Sequence, residues 1–498
     1  SDLTIQMIGY KTEILTLTAN KIQRDMTIKL QPDIYGLQDV VVTPKSAKKE
    51  RYKRKVNPAV ELIKNVIAHK DSNRIEHAGN YQVDTYEKLI MALDKFDVDF
   101  EKNAFNKKFA FLQQYIDTAQ FDATPVLTIS LRETLAKEYY QDKKHLRYVE
   151  AKRMQGVDKI LDQEGLSTNL DAMFTRMNIF DNDIELMLNR FVSPLSSSMA
   201  VSYYRYYIMD TTYVEKDKCF QLSFVPNNPQ DFGFTGTLYI LADSTYRLKQ
   251  CVLNLPKKTD VNFVETMSIK QQFGALPTGE WVQFSDDMLC ELNFFGGRFM
   301  VRRATHNSDY NFLDTNERVF KKKGKEIKDA NAMMRNDEFW NRYRATELTK
   351  SESNMGGFVT KLANIKGFKY VLFGLKALIE NFVETGTKDH PSKVDIGPIN
   401  TILTSNYIDG TRLRASAQTT ANLNPNWYFK GYAAYGFKDE KLKYLGQVEY
   451  SFDKKGYLPR EFPKHSVAVS YQYDNMLPSD KFINTDKDNM FTSLKWAK

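Results

Sequence analysis

The side chains able to do chemistry are few and scattered. Six histidines, His69, His77, His145, His306, His390 and His465, show no HxxE, HxxxH or HxH spacing, so no zinc peptidase site is supported. Cys219, Cys251 and Cys290 include no CxxC, and an odd count argues against a disulfide framework. One bridge is possible, but buried free thiols are the expectation. No GxSxG elbow, P-loop or GxGxxG cradle occurs. Asp286-Asp287 and Asp231 with Glu265 could pair as acid and base, but a chain with 62 carboxylates yields such pairs by chance. The sequence thus predicts no enzyme: no catalytic residue, no cofactor and no metal ligand.

Without reactive groups to position, the elements themselves must carry the function. At 498 residues the chain exceeds one core and predicts two to four domains. Tyr and Phe supply nearly all of a 13% aromatic share, which suits strands and membrane interfaces. The net charge of +8 is uneven, since KSAKKERYKRK at 45–55 holds seven basic residues against one Glu. Such a run suits nucleic acid or anionic head groups, but without a binding motif it reads as a solvated linker, so no nucleic-acid partner is expected. No signal peptide is visible, and no apolar run approaches the ~20 residues of a membrane-spanning helix. Both ends lie inside strand patterns and read as cut edges of a longer protein.

Residues 1–43 alternate in LTIQMIGY and TEILTL, followed by MTIKL and LQDVVVTP, as the tail of a small β domain. IGYKT, a strand and IKLQPDIYGLQDVVVTP resemble the end of a carboxypeptidase-regulatory-like (transthyretin-like) domain of Bacteroidota outer-membrane proteins, which implies the C-terminal part of a β-sandwich over 1–43. After a basic linker at 44–56, NPAVELIKNVIAHKDSNR predicts a helix. Asn57 is its N-cap, Pro58 its first position and Glu61 sits at the dipole end, with Val60, Ile63, Val66 and Ile67 as one apolar stripe. His69 follows the stripe as a solvated or packed histidine. That helix and YQVDTYEKL at 81–89 resemble a family joining the regulatory-like domain to a domain of unknown function and then to a β-barrel.

The stretch 57–350 predicts an antiparallel α+β domain, which the resemblance places in the periplasm. LAKEYYQ and HLRYVEAKRM suggest a hairpin, and LDAMFTRMNIFDNDIELMLNRF suggests helices. A meander of seven strands follows, from YYRYYIMDTTYV to FMVRRATH, with tight turns at Asp217-Lys218 and Asp243-Ser244. FTGTLYILADSTYRLKQ resembles the curved half-barrels of periplasmic lipoprotein carriers, which implies a greasy cavity for acyl chains. A sheet packed on its own helices is the favoured alternative. Residues 321–352 read as a charged, helix-prone connector. The 351–391 stretch reads as an amphipathic helical connector, broken at Gly367 and Gly374 and lying along a surface or as a packed helix pair.

Residues 392–498 hold six strand candidates: KVDIGPINTILTSNY, GTRLRASAQTT, WYFKGYAAYGF, KLKYLGQVEYSF, HSVAVSYQYDN and MFTSLKWAK. One face carries Leu413, Trp427, Phe429, Tyr435, Phe437, Leu442, Tyr444, Val448, Tyr450, Val467, Val469 and Tyr471. The other carries Arg412, Arg414, Lys443, Gln447 and Glu449, with Leu445 as the misfit. A soluble sandwich would alternate too. Strands of about ten residues, aromatics near strand ends and charges in mid-strand favour a transmembrane barrel, with the first set facing lipid and the second a watery lumen. The region from DIGPINTILTSNYIDGTRLR to GYAAYGFKDEKLKY is similar to the start of that family's barrel, with Asp409 standing where Glu is usual.

The expected fold is therefore mainly β with an α+β middle, ending in the first strands of an outer-membrane barrel. The resemblance implies an outer-membrane protein with its N-terminal domains in the periplasm, assisting assembly or export of outer-membrane proteins or lipoproteins. Lipid, such clients and other outer-membrane machinery are the partners implied. A barrel for nutrient uptake and a soluble β-domain adhesin or scaffold are the competing expectations.

Overall fold

The computed structural model describes residues 2–5, 13–16, 52–95, 99, 101–102, 107–118, 124–141, 144–157, 174, 176–187, 189–228, 230–256, 259, 261, 264–294, 297–312, 326–365, 370, 373–374, 377, 381–387, 390–461 and 464–475. MTIKL, LQDVVVTP, most of the basic run and MFTSLKWAK lie outside these residues. The chain divides into two compact units, Ser1–Ile160 with Met173–Thr360, and Leu161–Ala172 with Lys361–Lys498. The fold is mainly β, in several predominantly antiparallel sheets, and no sheet closes into a barrel among the described residues.

In the first unit, β1 (Asp2–Ile5) and β2 (Glu13–Thr16) pair antiparallel with each other. Helix α1 (Pro58–His69) starts as its sequence dictates, with the Asn57 side chain accepting from the Ala59 N–H and Pro58 in the first turn. It buries Ala59, Val60, Leu62, Ile63 and Val66. His69 is a packed histidine: its Nδ1 lies 2.8 Å from the Asn65 carbonyl, and its ring tilts against Tyr246.

The large sheet of this unit contains β3 (Tyr81–Leu93), β4 (Ile116–Thr118), β5 (Pro125–Gln141) and β6 (Lys144–Gly156). After the short hairpin β7 (Asp183–Leu186) and β8 (Asn189–Val192), and the one-turn helix α2 (Ala200–Tyr203), seven strands follow without interruption. They are β9 (Tyr204–Val214), β10 (Asp217–Pro226), β11 (Thr235–Leu241), β12 (Leu248–Asn254), β13 (Val264–Ala275), β14 (Trp281–Phe294) and β15 (Gly297–Asn311). Each pairs antiparallel with the next, as a meander requires, and β15 then pairs with β3. The order from edge to edge among the described residues is β16-β6-β5-β3-β15-β14-β13-β12-β11-β10-β9, where β16 (Glu326–Lys328) adds parallel to β6 and β4 pairs with β5.

Both faces of the sheet are occupied. On one, Leu222, Phe224, Leu238, Cys251, Leu253, Ile269 and Met288 are buried, and α1 packs at the β9 end. Lys70 fixes residues 178–195 there: its buried ammonium donates to the Phe180 and Leu195 carbonyls and to Asn182 at 2.9–3.1 Å. Burial lowers its pKa. On the other face, α3 (Asp337–Tyr343) buries Trp340 against Tyr86, Leu135 and Ala151. The capping-box helix α4 (Lys350–Ser353) lends Glu352 to Lys88 at 3.2 Å.

Three local expectations are corrected here. Residues 183–192 form the β7–β8 hairpin, not a helix: Ile184 and Leu186 are buried two residues apart, Phe191 is buried opposite Ile184, and Met187 turns the chain with φ 51°. The β9–β10 turn lies at Glu215-Lys216, since Glu215 takes the left-handed φ and Asp217 already pairs with Val214. Residues 326–352 are more than a connector, because Trp340 fills the core of the unit. The cysteines are all buried and unbridged, as expected.

In the second unit, β17 (Val383–Glu384), β18 (Val394–Ile396), β20 (Gly410–Thr419), β21 (Trp427–Gly436), β22 (Lys441–Ser451) and β23 (Ser466–Tyr473) pair in that order, and β19 (Leu403–Asn406) also pairs with β20. The expected single strand over 393–407 is split. Pro398 offers no N–H to a ladder, and a helical turn at Ile399–Thr401 separates β18 from β19 along the same edge of β20. The sheet starts earlier than expected, since β17 lies inside the 351–391 stretch.

Candidate functional site

Antiparallel pairing brings distant residues of the first unit to one end of its sheet. Tyr81 on β3 lies opposite Tyr140 on β5, and Tyr140 opposite His145 on β6. Their rings stack as a column with 4.5 Å between successive centroids. One step inward, Val83 faces Glu138 and Glu138 faces Arg147. The Glu138 carboxylate, 1% exposed, takes His145 Nε2 and Arg176 Nη1, the latter at 3.0 Å, with Arg147 Nε 3.6 Å away. Burial raises its pKa, but the His145 hydrogen bond and the two guanidiniums more than reverse that. Glu87, on the same face, feels burial most, yet Arg147, Arg176, Arg303 and Arg132 hold it at about 2. Burial, reinforced by the neighbouring Glu138, pushes Tyr140 up to about 12.

A cavity of about 370 Å3 opens beside this column. Its walls are Tyr81, Tyr140, Tyr310, Phe180, Phe273 and Trp281, with Arg74, Arg176 and His145 as cationic or polar corners and Glu76 and Asp181 as acidic ones. Phe180 meets Phe273 edge-on at 5.6 Å, and Arg74 lies 5.9 Å over the Phe180 ring. No serine, threonine or cysteine lines the cavity among the described residues, and none of these groups lies in a cluster able to hold a metal ion. Ring faces, guanidiniums and a shaped hollow are means of recognition.

Of these residues the sequence named His145 alone, and only to set it aside as lacking a ligand partner at metal-binding spacing. The available signal was the pattern of β5, where Arg132, Thr134 and Glu138 point to the same face as buried apolar neighbours. The acidic pair Asp286-Asp287 does not act as a pair. Asp286 reaches Arg303 at 3.0 Å and Gln271 at 2.6 Å, whereas Asp287 lies on the opposite face against Arg302 at 2.7 Å.

The residues that the sequence did single out fall on the two faces of the second unit's sheet. Leu413, Trp427, Phe429, Tyr435, Phe437, Leu442, Tyr444, Val448, Val467, Val469 and Tyr471 are exposed large apolar side chains, and Tyr450 is half-buried. Register makes them contiguous. Leu413 neighbours Tyr435 and then Leu442, Phe429 neighbours Val448 and Val469, and Trp427 neighbours Tyr450 and Val467. On the opposite face Lys443 is 2% exposed and pairs with Asp409 at 2.8 Å and Asp439 at 2.6 Å. Arg412 bridges Asp409 and Asp474, and the Arg414 guanidinium lies 3.6 Å over the Tyr432 ring. Glu449 is buried, Gln447 and Arg414 are half-buried, and Leu445 sits among them opposite Tyr432. A cleft of about 540 Å3 runs along this polar face.

The chain thus combines a sheet-and-helix unit holding an aromatic, arginine-lined cavity with a second unit whose sheet is polar inside and apolar outside. It belongs to the family of unknown function DUF5686, whose family model matches residues 62–310. No curated protein matches the chain. Among solved structures, similarity extends to a domain assigned as an outer-membrane lipoprotein-sorting protein from Vibrio parahaemolyticus, at 12% identity over 51% of this chain and 95% of that one, with a TM-score of 0.25. A LolA-superfamily protein from Nitrosomonas europaea is 8% identical over 52% and 97%, with a TM-score of 0.23. MucB in its complex with MucA, from Pseudomonas aeruginosa, is 11% identical over 51% and 96%, with a TM-score of 0.16.

Proposed function

We propose that this is a non-enzymatic outer-membrane protein that handles lipidated or outer-membrane protein clients. Its second unit is the first part of a transmembrane β-barrel, and its first unit is a periplasmic carrier. The observation that carries this reading is the inverted sheet. Eleven large apolar side chains stand exposed on one face while the charges are sequestered on the other. Leaving such a face half in water forgoes on the order of 10 kcal/mol of apolar burial, which a bilayer would supply. Trp427, Tyr450 and Phe452 cluster at one end of the strands and Tyr435 and Phe437 at the other, as interfacial girdles do. In this reading Arg412, Arg414, Lys443, Gln447 and Glu449 face the lumen.

The carrier role of the first unit rests on its aromatic cavity and agrees with lipoprotein handling in general. The test is extraction of the natural full-length protein. A barrel requires detergent and migrates differently on gels before and after heating. A protein fully soluble without detergent overturns the membrane reading. Depletion followed by surface proteomics tests the client class, and unchanged display of lipoproteins and outer-membrane proteins overturns that part.

A further inference from the structure

On the polar face of the second unit's sheet, two neighbouring arginines of β20 differ in what holds them. Arg412 grips Asp474 through two hydrogen bonds at 2.7 and 2.6 Å and reaches Asp409 at 3.1 Å. Arg414, two residues further along the same face, lies over the Tyr432 ring at 3.6 Å. Its guanidinium has no ion pair and no hydrogen bond among the described residues. At that distance it stacks on the ring, which covers its flat face and leaves its N–H edges. Nε is buried there without a partner, but the terminal nitrogens are not buried, and the side chain lines the cleft of about 540 Å3.

The cleft limits what can meet that terminal edge. The charged groups on its lining are Arg412, Arg414, Lys430 and Asp474, and Lys430 is itself engaged. Asp474 does not serve Arg414, since both its oxygens accept from Arg412 and Oδ2 accepts from the Tyr432 hydroxyl as well. Gln472 Nε2 also donates to that hydroxyl at 3.0 Å, so the ring is held from two sides and positions the guanidinium stacked on it. An anion entering the cleft would therefore find its donors already ordered. A carboxylate matches the edge in shape and in its single charge, taking two parallel N–H bonds. The second charge of a phosphate dianion would meet Asp474 beside the same ring. Pro398, Ile408 and Leu445 give apolar wall to the group that bears the carboxylate.

We infer that this cleft is a carboxylate-binding site, with the terminal edge of Arg414 as the anion-binding group and Tyr432 as a positioning residue. This rests on the reading of the polar face as a barrel lumen and names the chemistry that the lumen selects. A free solute and an acidic side chain of a polypeptide client present the same two oxygens, and the competitors below separate these sources.

The test uses the natural full-length protein in nanodiscs, with empty nanodiscs as the blank. The probes are para-fluorobenzoate and para-fluorobenzamide, alike in shape and different in charge, followed by fluorine NMR. The benzoate is expected to bind at least tenfold more tightly, the worth of a charge-assisted hydrogen bond. R414Q should remove that preference. R414K, which keeps the charge without the fork, should keep part of it, and it carries the test if R414Q fails to fold. Y432L should weaken the preference and Y432F restore most of it, because phenylalanine still offers a ring face. Displacement of the benzoate by glutarate identifies a free carboxylate as the ligand, and displacement only by a glutamate-bearing peptide identifies a polypeptide side chain. Displacement by neither overturns the inference, as does equal binding of the two probes to wild type or a preference undiminished in R414Q or R414K. Heat-modifiable migration of the same preparation reports the barrel separately. A barrel that binds neither probe sinks this inference alone, whereas a protein fully soluble without detergent sinks the lumen reading beneath it.

Discussion

The two large sheets of this chain obey the same backbone rules and opposite solvent rules. In the first unit, Leu222, Phe224, Ile269 and Met288 turn into a covered core, and Trp340 closes the other face. In the second, Val448, Val469 and Tyr471 point outward while Lys443, Arg412 and Asp409 are buried together. Strand alternation is identical in kind in both. What differs is which member of the alternation finds partners. In the second sheet Asp409 serves both Lys443 and Arg412, whereas the charges of the first sheet's polar end converge from β3, β5, β6, β14 and β15 beside a hollow. The first arrangement suits binding, and the second suits a wall between two solvents.

The comparison is broken most forcefully by removing one charge from the first unit. Asp286→Ala takes from the buried Arg303 its hydrogen-bonded carboxylate, leaving the Phe174 carbonyl, and leaves the Gln271 amide with the Met177 carbonyl. Stability should fall by about 3–5 kcal/mol, the range for a buried pair broken on one side. Chemical denaturation followed by tryptophan fluorescence measures it. A loss under about 1 kcal/mol would mean that water reaches this cluster freely, and the first unit would lose its distinct interior.

Acid should act on the same cluster by a route with a definite sign. Glu87 is held at about 2 in the folded unit against an ordinary 4.5. Its contribution, on the order of 3 kcal/mol, is therefore present above pH 4.5 and is lost as the pH falls from there toward 2. Glu87→Gln should flatten that part of the stability profile in denaturant titrations at stepped pH. An unchanged slope would mean that Arg147 and Arg176 do not act on Glu87 in solution.

The second sheet is sharpened by a substitution that would be harmless in water. Val469 is 72% exposed, and Val469→Arg on a soluble surface should change stability by no more than about 0.5 kcal/mol. Facing the middle of a bilayer, the same change should cost about 2–4 kcal/mol. Folding titrations into lipid vesicles, read by heat-modifiable migration, separate the two. A neutral outcome would remove the membrane from the account of this sheet.

Legibility in the sequence followed the range of the interactions. The seven-strand meander, the α1 cap and the two faces of β20 to β23 are set by neighbours two to four residues apart, and pattern sufficed to find them. Residues 183–192 misled because Ile184, Leu186, Met187 and Phe191 fit a helical stripe as well as a strand, and only the left-handed turn at Met187 decides. The 393–407 segment misled because its alternation continues through Pro398, where the ladder cannot. The cavity was invisible for a deeper reason. Tyr81, Tyr140, Arg176 and Trp281 meet only after β3 has paired with both β5 and β15, and no spacing along the chain encodes that meeting.

The smallest effect tests whether local rules hold independently of the site. Asn57 caps α1 through the Ala59 N–H, and its Nδ2 also approaches the Tyr206 carbonyl at 3.5 Å. Asn57→Ala should therefore cost about 1 kcal/mol, and Asn57→Asp should recover most of it, because a carboxylate accepts equally well at the positive end of the dipole. Thermal unfolding of the two variants measures this. If Asp fails to rescue, the contact with Tyr206 outweighs the cap, and α1 is held by tertiary docking instead of by its own start signal.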